Sequence, residues 1–319
     1  MSEILNLARE SLVAHERITG YVRKTELLHS PHYSALTGAN VFFKCENMQI
    51  TGSFKFRGAM NKVLSLDPVQ REDGVVTAST GNHGKAVAHI AGKLGGRVTI
   101  FAPRQADAGK LRAIESLGAE LILIGEDCVE AEAEARRYAT QQNRVYISPY
   151  NDLQVVAGQG TISVEICDQL DHIDAVFASV GGGGLISGVG AFLRSRFPDC
   201  EIVGCSPERS QVMFQSMTAG KILDLPSLET LSDGTAGGIE PRSMTFPYCR
   251  TLISHCITVS EAKIERHLAD FAAVHPMPIE GAAAVALAGL TRDPTPFKNK
   301  NVVVILCGAN ISHTIAKGS

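Results

Sequence analysis

Strand-like and helix-like segments alternate along most of this chain, and the alternation restricts its fold more than any other feature. Short apolar runs typical of buried strands begin at residues 74, 97, 120 and 144, and segments with helical periodicity lie between them. Strands that recur at this interval with helices between them indicate right-handed βαβ units around a parallel sheet. We therefore predict a small α/β domain over residues 71–149.

The same alternation resumes after residue 150, with strands predicted at 174–180, 201–204, 256–259 and 301–306. Earlier in the chain, a turn is expected at Pro31, and a strand at 41–45 precedes a helix that Pro68 is expected to close. Because 319 residues exceed what one hydrophobic core usually organises, we expect two domains. The predicted fold class is α/β with two parallel-sheet domains and a cleft between them. The larger domain comprises residues 1–70 and 150–319, and the smaller one is inserted into it.

Composition and charge argue against several classes of partner. The formal net charge is −3 and like charges do not form long runs, which does not favour a nucleic-acid surface or a polybasic membrane anchor. Residues 1–10 lack the apolar core of a signal peptide, and the apolar runs are too short to cross a bilayer. The eight cysteines form no C-x-x-C pair, so we expect reduced structural thiols, no metal site and a cytoplasmic location.

A lysine occupies an unusual position in Thr51-Gly52-Ser53-Phe54-Lys55-Phe56, at the first turn of a predicted helix and between two aromatic residues. One interpretation is an ordinary helix start, with Ser53 as the N-cap and Lys55 extending into solvent. The other is a desolvated amine with a lowered pKa, which could form a Schiff base with a carbonyl cofactor. This segment alone leaves both interpretations open.

Four consecutive glycines, Gly181 to Gly184, connect a predicted buried strand to a helix that begins near Leu185. Backbone N–H groups that converge at a helix N-terminus bind anions, and the helix dipole adds to the attraction. The spacing matches neither the P-loop nor the dinucleotide-binding fingerprint. A phosphate site without those signatures is predicted, and a tight turn without a ligand is the alternative.

Three other segments carry candidate site residues. Ser79-Thr80-Gly81-Asn82-His83 joins a strand to a helix and offers neutral donors suited to a carboxylate or phenolate, although one of them could simply cap the helix. Cys307 follows the last strand, where it either faces a ligand crevice or is a buried thiol. Glu280 precedes a helix of small residues, and it either stabilises the helix dipole or faces a ligand.

In this order and on these elements, the segments resemble the fold type II pyridoxal-phosphate enzymes, which have a tryptophan synthase β-like fold. Within that class the chain is similar to the threonine/serine dehydratase (threonine ammonia-lyase) and serine racemase group. The resemblance covers nearly the whole chain. It rests on the runs Lys44 to Lys55, Ala157 to Ile162, Asp233-Gly234 and Cys307 to Asn310, together with the segments above.

The resemblance implies a role for each candidate residue. Lys55, with Phe54 beside it, would carry the cofactor pyridoxal 5'-phosphate and act as the catalytic base. The cofactor phosphate would lie on Gly181, Gly182, Gly183, Gly184 and Leu185. Asn82 would bind the ring hydroxyl and Cys307 the ring nitrogen. The substrate carboxylate would be held by Ser79, Thr80, Gly81, Asn82 and His83, and the Thr80 hydroxyl would be a second catalytic group.

The activity implied by the resemblance is the conversion of L-threonine or L-serine into a 2-oxo acid and ammonia. Racemisation of serine is the alternative, because racemases of the group carry a serine hydroxyl where this chain has Thr80. The sequence is also compatible with a dehydratase for a different substrate such as 3-hydroxyaspartate, and with a non-catalytic phosphate-binding protein. Residues 221–245 lack periodicity and would form the wall of the substrate pocket.

Three further expectations follow from the resemblance. Ser206 and Val212 stand where the group has acidic metal ligands, so no metal is predicted there, although Glu208 could substitute as a ligand. The partners expected are an amino-acid substrate and further copies of the chain in a dimer or tetramer, with no nucleic acid and no membrane. A C-terminal regulatory domain is not expected, because the chain ends soon after Cys307.

Overall fold

The strands form two sheets in the computed structural model, which describes residues 2–106, 108–126 and 128–310 except for the side chain of Cys128. The strands are β1 (Leu27–His29), β2 (Asn40–Lys44), β3 (Val75–Ala78), β4 (Val98–Ala102), β5 (Glu120–Leu123), β6 (Val145–Tyr146), β7 (Ala175–Ser179), β8 (Glu201–Pro207), β9 (His255–Val259) and β10 (Asn301–Ile305). The helices are α1 (Ser2–Ile18), α2 (Pro31–Thr37), α3 (Lys55–Ser65), α4 (Pro68–Asp73), α5 (Asn82–Leu94), α6 (Ala108–Glu115), α7 (Cys128–Gln141), α8 (Leu153–Gln169), α9 (Gly184–Arg196), α10 (Val212–Ala219), α11 (Thr245–Leu252), α12 (Glu261–Val274) and α13 (Gly281–Arg292).

The larger sheet has the strand order β1-β2-β10-β7-β8-β9. Its last strand in the chain, β10, lies between β2 and β7, and Val302 pairs in register with both Val41 and Ala175. The side chains of 302–306 are fully buried, as expected for a parallel strand covered by helices on both faces. This topology places the ends of strands from distant parts of the sequence side by side.

The smaller sheet has the order β5-β4-β3-β6, and all of its pairs are parallel. Helix α5 covers one face through Val87 and Ile90, and α7 covers the other through Ala131 and Ala135. The predicted α/β class with two parallel-sheet domains is thereby confirmed. Helix α3 belongs to the larger unit in sequence, yet it packs into the core of the smaller one, so the domain boundary at residue 70 stays a prediction.

One local expectation was wrong: Pro31 does not lie in a turn but begins a helix. The lysine helix ends at Ser65, before Pro68 as expected, and Pro68 begins the next helix. Strand β1 is antiparallel to β2, so the larger sheet is mixed at this edge. Ser30 and Asp67 act as the N-caps of the helices that begin at Pro31 and Pro68. Proline is accepted at the first helical position because the missing N–H has no intrahelical partner there.

Ser53 is not the N-cap of the lysine helix. Helix α3 begins at Lys55, the cap position is Phe54, and no side chain caps it. The segment is held instead by a bridge between Ser53 and Gly308 and by a hydrogen bond of 3.0 Å from the Phe54 N–H to the Cys307 carbonyl. Contacts with the end of β10 therefore replace the local cap that the sequence suggested.

Residues 221–245 form the predicted long connection, with one short 3₁₀ turn at Asp233–Thr235. In the described ranges, none of the helices combines the length and the apolar character that crossing a membrane requires. The seven cysteines whose side chains are described all carry free thiols.

Candidate active site

The lysine helix begins directly beside the end of the central strand β10. The Ala309 N–H donates to the Gly52 carbonyl over 2.9 Å, and Asn310 Nδ2 donates to the Thr51 carbonyl over 3.0 Å. Together with the bond from Phe54 to Cys307, these contacts fasten the turn before Lys55 to the Cys307 segment. Lys55 and Cys307 are thus brought to one edge of the larger sheet, where the carboxyl ends of its parallel strands create a ligand crevice.

The amine of Lys55 lies inside this crevice and does not extend into solvent. Its Nζ donates a hydrogen bond of 2.9 Å to the Pro149 carbonyl and lies 5.2 Å from the centroid of the Phe54 ring. Burial lowers the pKa of Lys55 to about 8, although the acidic groups of Cys307, Glu280 and Glu132 partly oppose the shift. The lowered pKa supports the desolvated amine and not the solvated one.

The four glycines occupy a turn that excludes side chains. A Cβ on Gly182 would lie 2.5 Å from the Tyr150 ring, and one on Gly181 would lie 2.9 Å from the Thr235 carbonyl oxygen. Gly183 has φ +82°, which favours glycine. In the described part of the chain, no carbonyl accepts a hydrogen bond from the N–H groups of 181–185. The turn is therefore a cradle of free donors at the start of α9 that fits a phosphate group.

Segment 79–83 is folded around its own strand end. Ser79 Oγ accepts a hydrogen bond of 3.2 Å from the Gly81 N–H, and a Cβ on Gly84 would collide with the Ser79 carbonyl. His83 Nε2 donates to the Ile147 carbonyl over 3.1 Å, and burial, with the nearby Lys55, lowers the pKa of His83 to about 3. The His83 side chain is neutral and committed to Ile147. Its backbone N–H is the donor left for a substrate.

Glu280 connects Asn82 to Cys307. Asn82 Nδ2 donates to both Glu280 carboxylate oxygens at 3.0 and 2.9 Å, while Asn82 Oδ1 accepts from Asn310 Nδ2 at 2.6 Å. The Cys307 Sγ lies 3.6 Å from Glu280 Oε1 and accepts from Ser179 Oγ at 3.6 Å. Burial raises the pKa of Glu280 to about 7, and it raises the pKa of Cys307 well above the usual value for a thiol. Glu280 faces the crevice and Cys307 is a neutral thiol.

Two predicted site residues are placed differently from the others. The Thr80 hydroxyl makes no hydrogen bond to another described residue and remains partly exposed. The Leu185 side chain is buried in the core of the larger domain, so only its N–H group can contact an anion.

Sequence motifs did not mark Tyr150, whose ring packs on the glycine turn. Its position four residues after the end of β6, in the connection that follows a parallel strand, was the signal that could have found it.

Comparison with known proteins gives the family. Residues 18–308 match the family described as pyridoxal-phosphate dependent enzyme. The chain belongs to this family. It is 36% identical to an L-threonine ammonia-lyase of Geobacter sulfurreducens over 93% of this chain and 74% of that protein. It is 33% identical to a beta-hydroxyaspartate dehydratase of Paracoccus denitrificans over 95% of both chains. The solved structure of maize serine racemase superposes with a TM-score of 0.91 at 31% identity and covers 97% of this chain and 95% of that one.

Ser206 occupies the position at which the sequence comparison predicted no metal. Its hydroxyl donates to the Val180 carbonyl at 2.9 Å, with the Ser210 carbonyl at 3.4 Å, and Glu208 is exposed. The described residues contain no cluster of three or more His, Cys, Asp or Glu side chains able to hold a metal ion. That no metal binds at this position stays a prediction.

The lowered pKa of Lys55 predicts how cofactor loading depends on pH. Only the neutral amine reacts with an aldehyde, and a pKa of about 8 makes half of the amine neutral at that pH. We expect the rate of cofactor incorporation into apoprotein to rise about tenfold per pH unit up to about pH 8 and then to level off. Borohydride-trapped label, measured against time, reports this rate. A rate that still rises through pH 10, as for an ordinary lysine, would contradict the burial argument.

Proposed function

We propose that this enzyme converts a β-hydroxy amino acid, L-threonine or L-serine, into a 2-oxo acid and ammonia by α,β-elimination. The observation that carries the proposal is the convergence of a partly buried amine of lowered pKa, a glycine cradle of free donors and a neutral thiol at one edge of the sheet. The relative that is named L-threonine ammonia-lyase agrees with this chemistry.

The residues that would hold the cofactor are those whose geometry is described above. The N–H groups of 181–185 would bind its phosphate, and the side chain of Asn82, held in place by Glu280 and Asn310, would face the ring hydroxyl. Lys55 would attach it. When bound, pyridoxal phosphate supplies an electron sink for the charge left on the substrate Cα after deprotonation.

Lys55 would also be the general base. The Lys55 amine, about half of it neutral at pH 8, would accept the α-proton of the bound substrate. The substrate carboxylate would be held by the hydroxyls of Ser79 and Thr80 and by the backbone N–H groups of Asn82 and His83. These contacts would orient the Cα–H bond of the substrate toward the Lys55 amine.

The Cys307 thiol would favour elimination over competing reactions. Because its pKa is raised, the thiol carries no charge and cannot stabilise a proton on the ring nitrogen as a carboxylate would. A neutral partner at the ring nitrogen would limit the charge that the cofactor can take up, which would leave more of the electron pair at the substrate Cα to expel the β-hydroxyl. Ser179 and Glu280 fix the thiol in place from two sides.

The smaller unit, proposed as a domain over 71–149, would close over the bound substrate. It already contacts the larger unit through Lys85 Nζ to Asn310 Oδ1 at 2.8 Å and Lys110 Nζ to Asp233 Oδ2 at 2.9 Å. Closure would exclude water from the reacting Cα atom. A cytoplasmic location and assembly into a homodimer or homotetramer are further parts of the proposal.

A substrate panel tests the proposal. Purified enzyme is incubated with L-threonine, L-serine and 3-hydroxyaspartate, and release of 2-oxo acid is measured together with the chirality of the remaining amino acid. Release of 2-oxo acid without D-serine supports elimination. Accumulation of D-serine without 2-oxo acid would replace the proposal with racemisation, which the free Thr80 hydroxyl and the likeness to maize serine racemase favour as the second candidate.

Thr80→Ala separates the two activities. The substitution removes a hydroxyl but keeps the backbone donors of the loop, so we expect 2-oxo acid release to fall by less than about tenfold, whereas any racemisation loses about 10²-fold or more with its second acid–base group. Thr80→Ser is the matched control and should keep both activities. If Thr80→Ala removes elimination and racemisation alike, the role assigned to this hydroxyl is wrong.

A further inference from the structure

A set of hydrogen-bond donors surrounds the carboxylate of Glu240, in the loop 221–245. Asn151 Nδ2 donates to Glu240 Oε2 at 2.7 Å, and Ser148 Oγ donates to Oε1 at 3.3 Å. Arg136 Nη2 forms an ion pair with Oε1 at 2.6 Å, and its guanidinium lies 4.2 Å from the Tyr146 ring centroid. An arginine, an amide and a hydroxyl that converge in this way form a carboxylate-binding site.

This donor set borders the catalytic lysine. Ser148 and Asn151 lie on either side of Pro149 and Tyr150 in the connection between β6 and α8. The Pro149 carbonyl accepts a hydrogen bond of 2.9 Å from the Lys55 amine. The Tyr150 hydroxyl accepts a hydrogen bond of 2.9 Å from the Glu240 N–H, while the ring of Tyr150 lies against the glycine cradle. The carboxylate site therefore adjoins the residues that contact the Lys55 amine and the glycine cradle.

The charges in this wall are already balanced by the chain itself. Glu240 takes up the positive charge of Arg136, and its side chain is only 18% exposed. Glu132, one helical turn before Arg136 on α7, adds another carboxyl near Lys55. A substrate with an acidic side chain would bring one more negative group to donors that already face Glu240, and the Glu240 carboxylate would repel it. Burial and the nearby Glu240 raise the pKa of Glu132 to about 7, so Glu132 adds only part of a negative charge.

We propose that Glu240 is a specificity-determining residue that fills the site an acidic side chain would need, so that the enzyme acts on β-hydroxy amino acids with neutral side chains and rejects 3-hydroxyaspartate. This inference rests on the proposed elimination and names its substrate class. The proposed substrate preference differs from that in the name of one relative, beta-hydroxyaspartate dehydratase.

The test compares kcat/KM for L-threonine and L-threo-3-hydroxyaspartate in the holoenzyme and its variants. For the unaltered enzyme we expect a preference for threonine of about 100-fold or more, as one charged, desolvated contact can give. Glu240→Ala should shift the ratio by at least about tenfold toward 3-hydroxyaspartate, because Arg136, Ser148 and Asn151 become available. The double variant Glu240→Ala/Arg136→Ala should have the same kcat/KM ratio as the unaltered enzyme. Glu265→Ala, an exposed glutamate on α12, should leave the ratio unchanged.

A second measurement does not depend on turnover. Formate should bind the donors vacated in Glu240→Ala, and it should raise the melting temperature of that variant but not of the unaltered holoenzyme. If Glu240→Ala does not fold, Glu240→Gln removes the charge at nearly constant volume and should shift the ratio in the same direction.

Two outcomes would overturn the inference. One is an unaltered enzyme that uses 3-hydroxyaspartate as well as threonine, and the other is a folded Glu240→Ala variant with an unchanged ratio and no response to formate. Failure of the proposed function gives a different result. In that case no 2-oxo acid is released from any amino acid. The preference for threonine over 3-hydroxyaspartate is then measured as the ratio of the two concentrations at which each amino acid half-maximally changes the absorption of the bound cofactor.

Discussion

Lys55→Ala is expected to abolish turnover and covalent attachment of pyridoxal phosphate. The amine is held in the crevice by both the Pro149 carbonyl and the Phe54 ring, and it would serve first as attachment point and then as base. Loss of a general base alone lowers rates by about 10²–10⁴-fold, and loss of the attachment adds to it. We therefore expect kcat to fall by at least about 10³-fold. Borohydride reduction, digestion and mass spectrometry of the peptide containing residue 55 measure the attachment directly.

Lys62→Ala is the matched control for this experiment. Lys62 lies on the same helix, two turns after Lys55, and its amine pairs with the Asp152 carboxylate at 2.6 Å, whereas the Lys55 amine donates to the Pro149 carbonyl. This variant should keep the pyridoxyl label and most of the activity. A label found on another lysine, such as Lys85, in the unaltered enzyme would refute the assignment of Lys55. A labelled and active Lys55→Ala variant would do the same.

The parts of the site that could be predicted from the sequence are those encoded in short, continuous segments. The glycine turn at 181–184 is recognisable because four glycines after a buried strand have few structural uses besides a close backbone approach. Segment 79–83 and Cys307 follow strand ends, and the strand ends of a parallel sheet meet at one edge. The order of helices and strands was predictable for the same reason, since local periodicity determines both.

Contacts between distant segments could not be predicted in this way. The environment of Glu240 joins a loop, a connection after β6 and helix α7, and nothing in the sequence around Glu240 or Arg136 indicates that they meet. At Ser53 a local signal was misleading: the residue type favours an N-cap, but Ser53 pairs with Gly308 instead. The sequence allowed two roles for Glu280, and only the position of Asn82 in space decided that it faces the crevice.

A buried ionic network anchors helix α3, which carries Lys55, and the sequence did not indicate this network either. Arg57, two residues after Lys55, contacts Glu46 and Glu165 through four hydrogen bonds of 2.7 to 2.8 Å, and all three side chains are at most 2% exposed. Lys44 Nζ adds an ion pair of 2.7 Å with Glu165. Burial opposes the charge of the guanidinium, but the two glutamates outweigh it and raise the pKa of Arg57 above its ordinary value.

Arg57→Met should therefore destabilise the protein by about 3–5 kcal/mol, because removal of one partner leaves a buried carboxylate without compensation. Urea unfolding monitored by circular dichroism measures the loss. The uncompensated carboxylate prefers its neutral form, so its pKa in the folded variant is raised above the unfolded value and the destabilisation should be smaller at pH 5 than at pH 8. An ordinary cavity would show no such dependence.

Two variants show whether the network or the residue type is responsible. Arg57→Lys keeps the charge but loses the forked contact with two carboxylates, so its stability should fall between those of the unaltered protein and Arg57→Met. Arg266→Met breaks an exposed pair with Asp270 and should change stability little. If Arg57→Met is no less stable than Arg266→Met, the buried charges do not hold the helix. The position of the Lys55 amine would then depend on its contacts with the end of β10 alone.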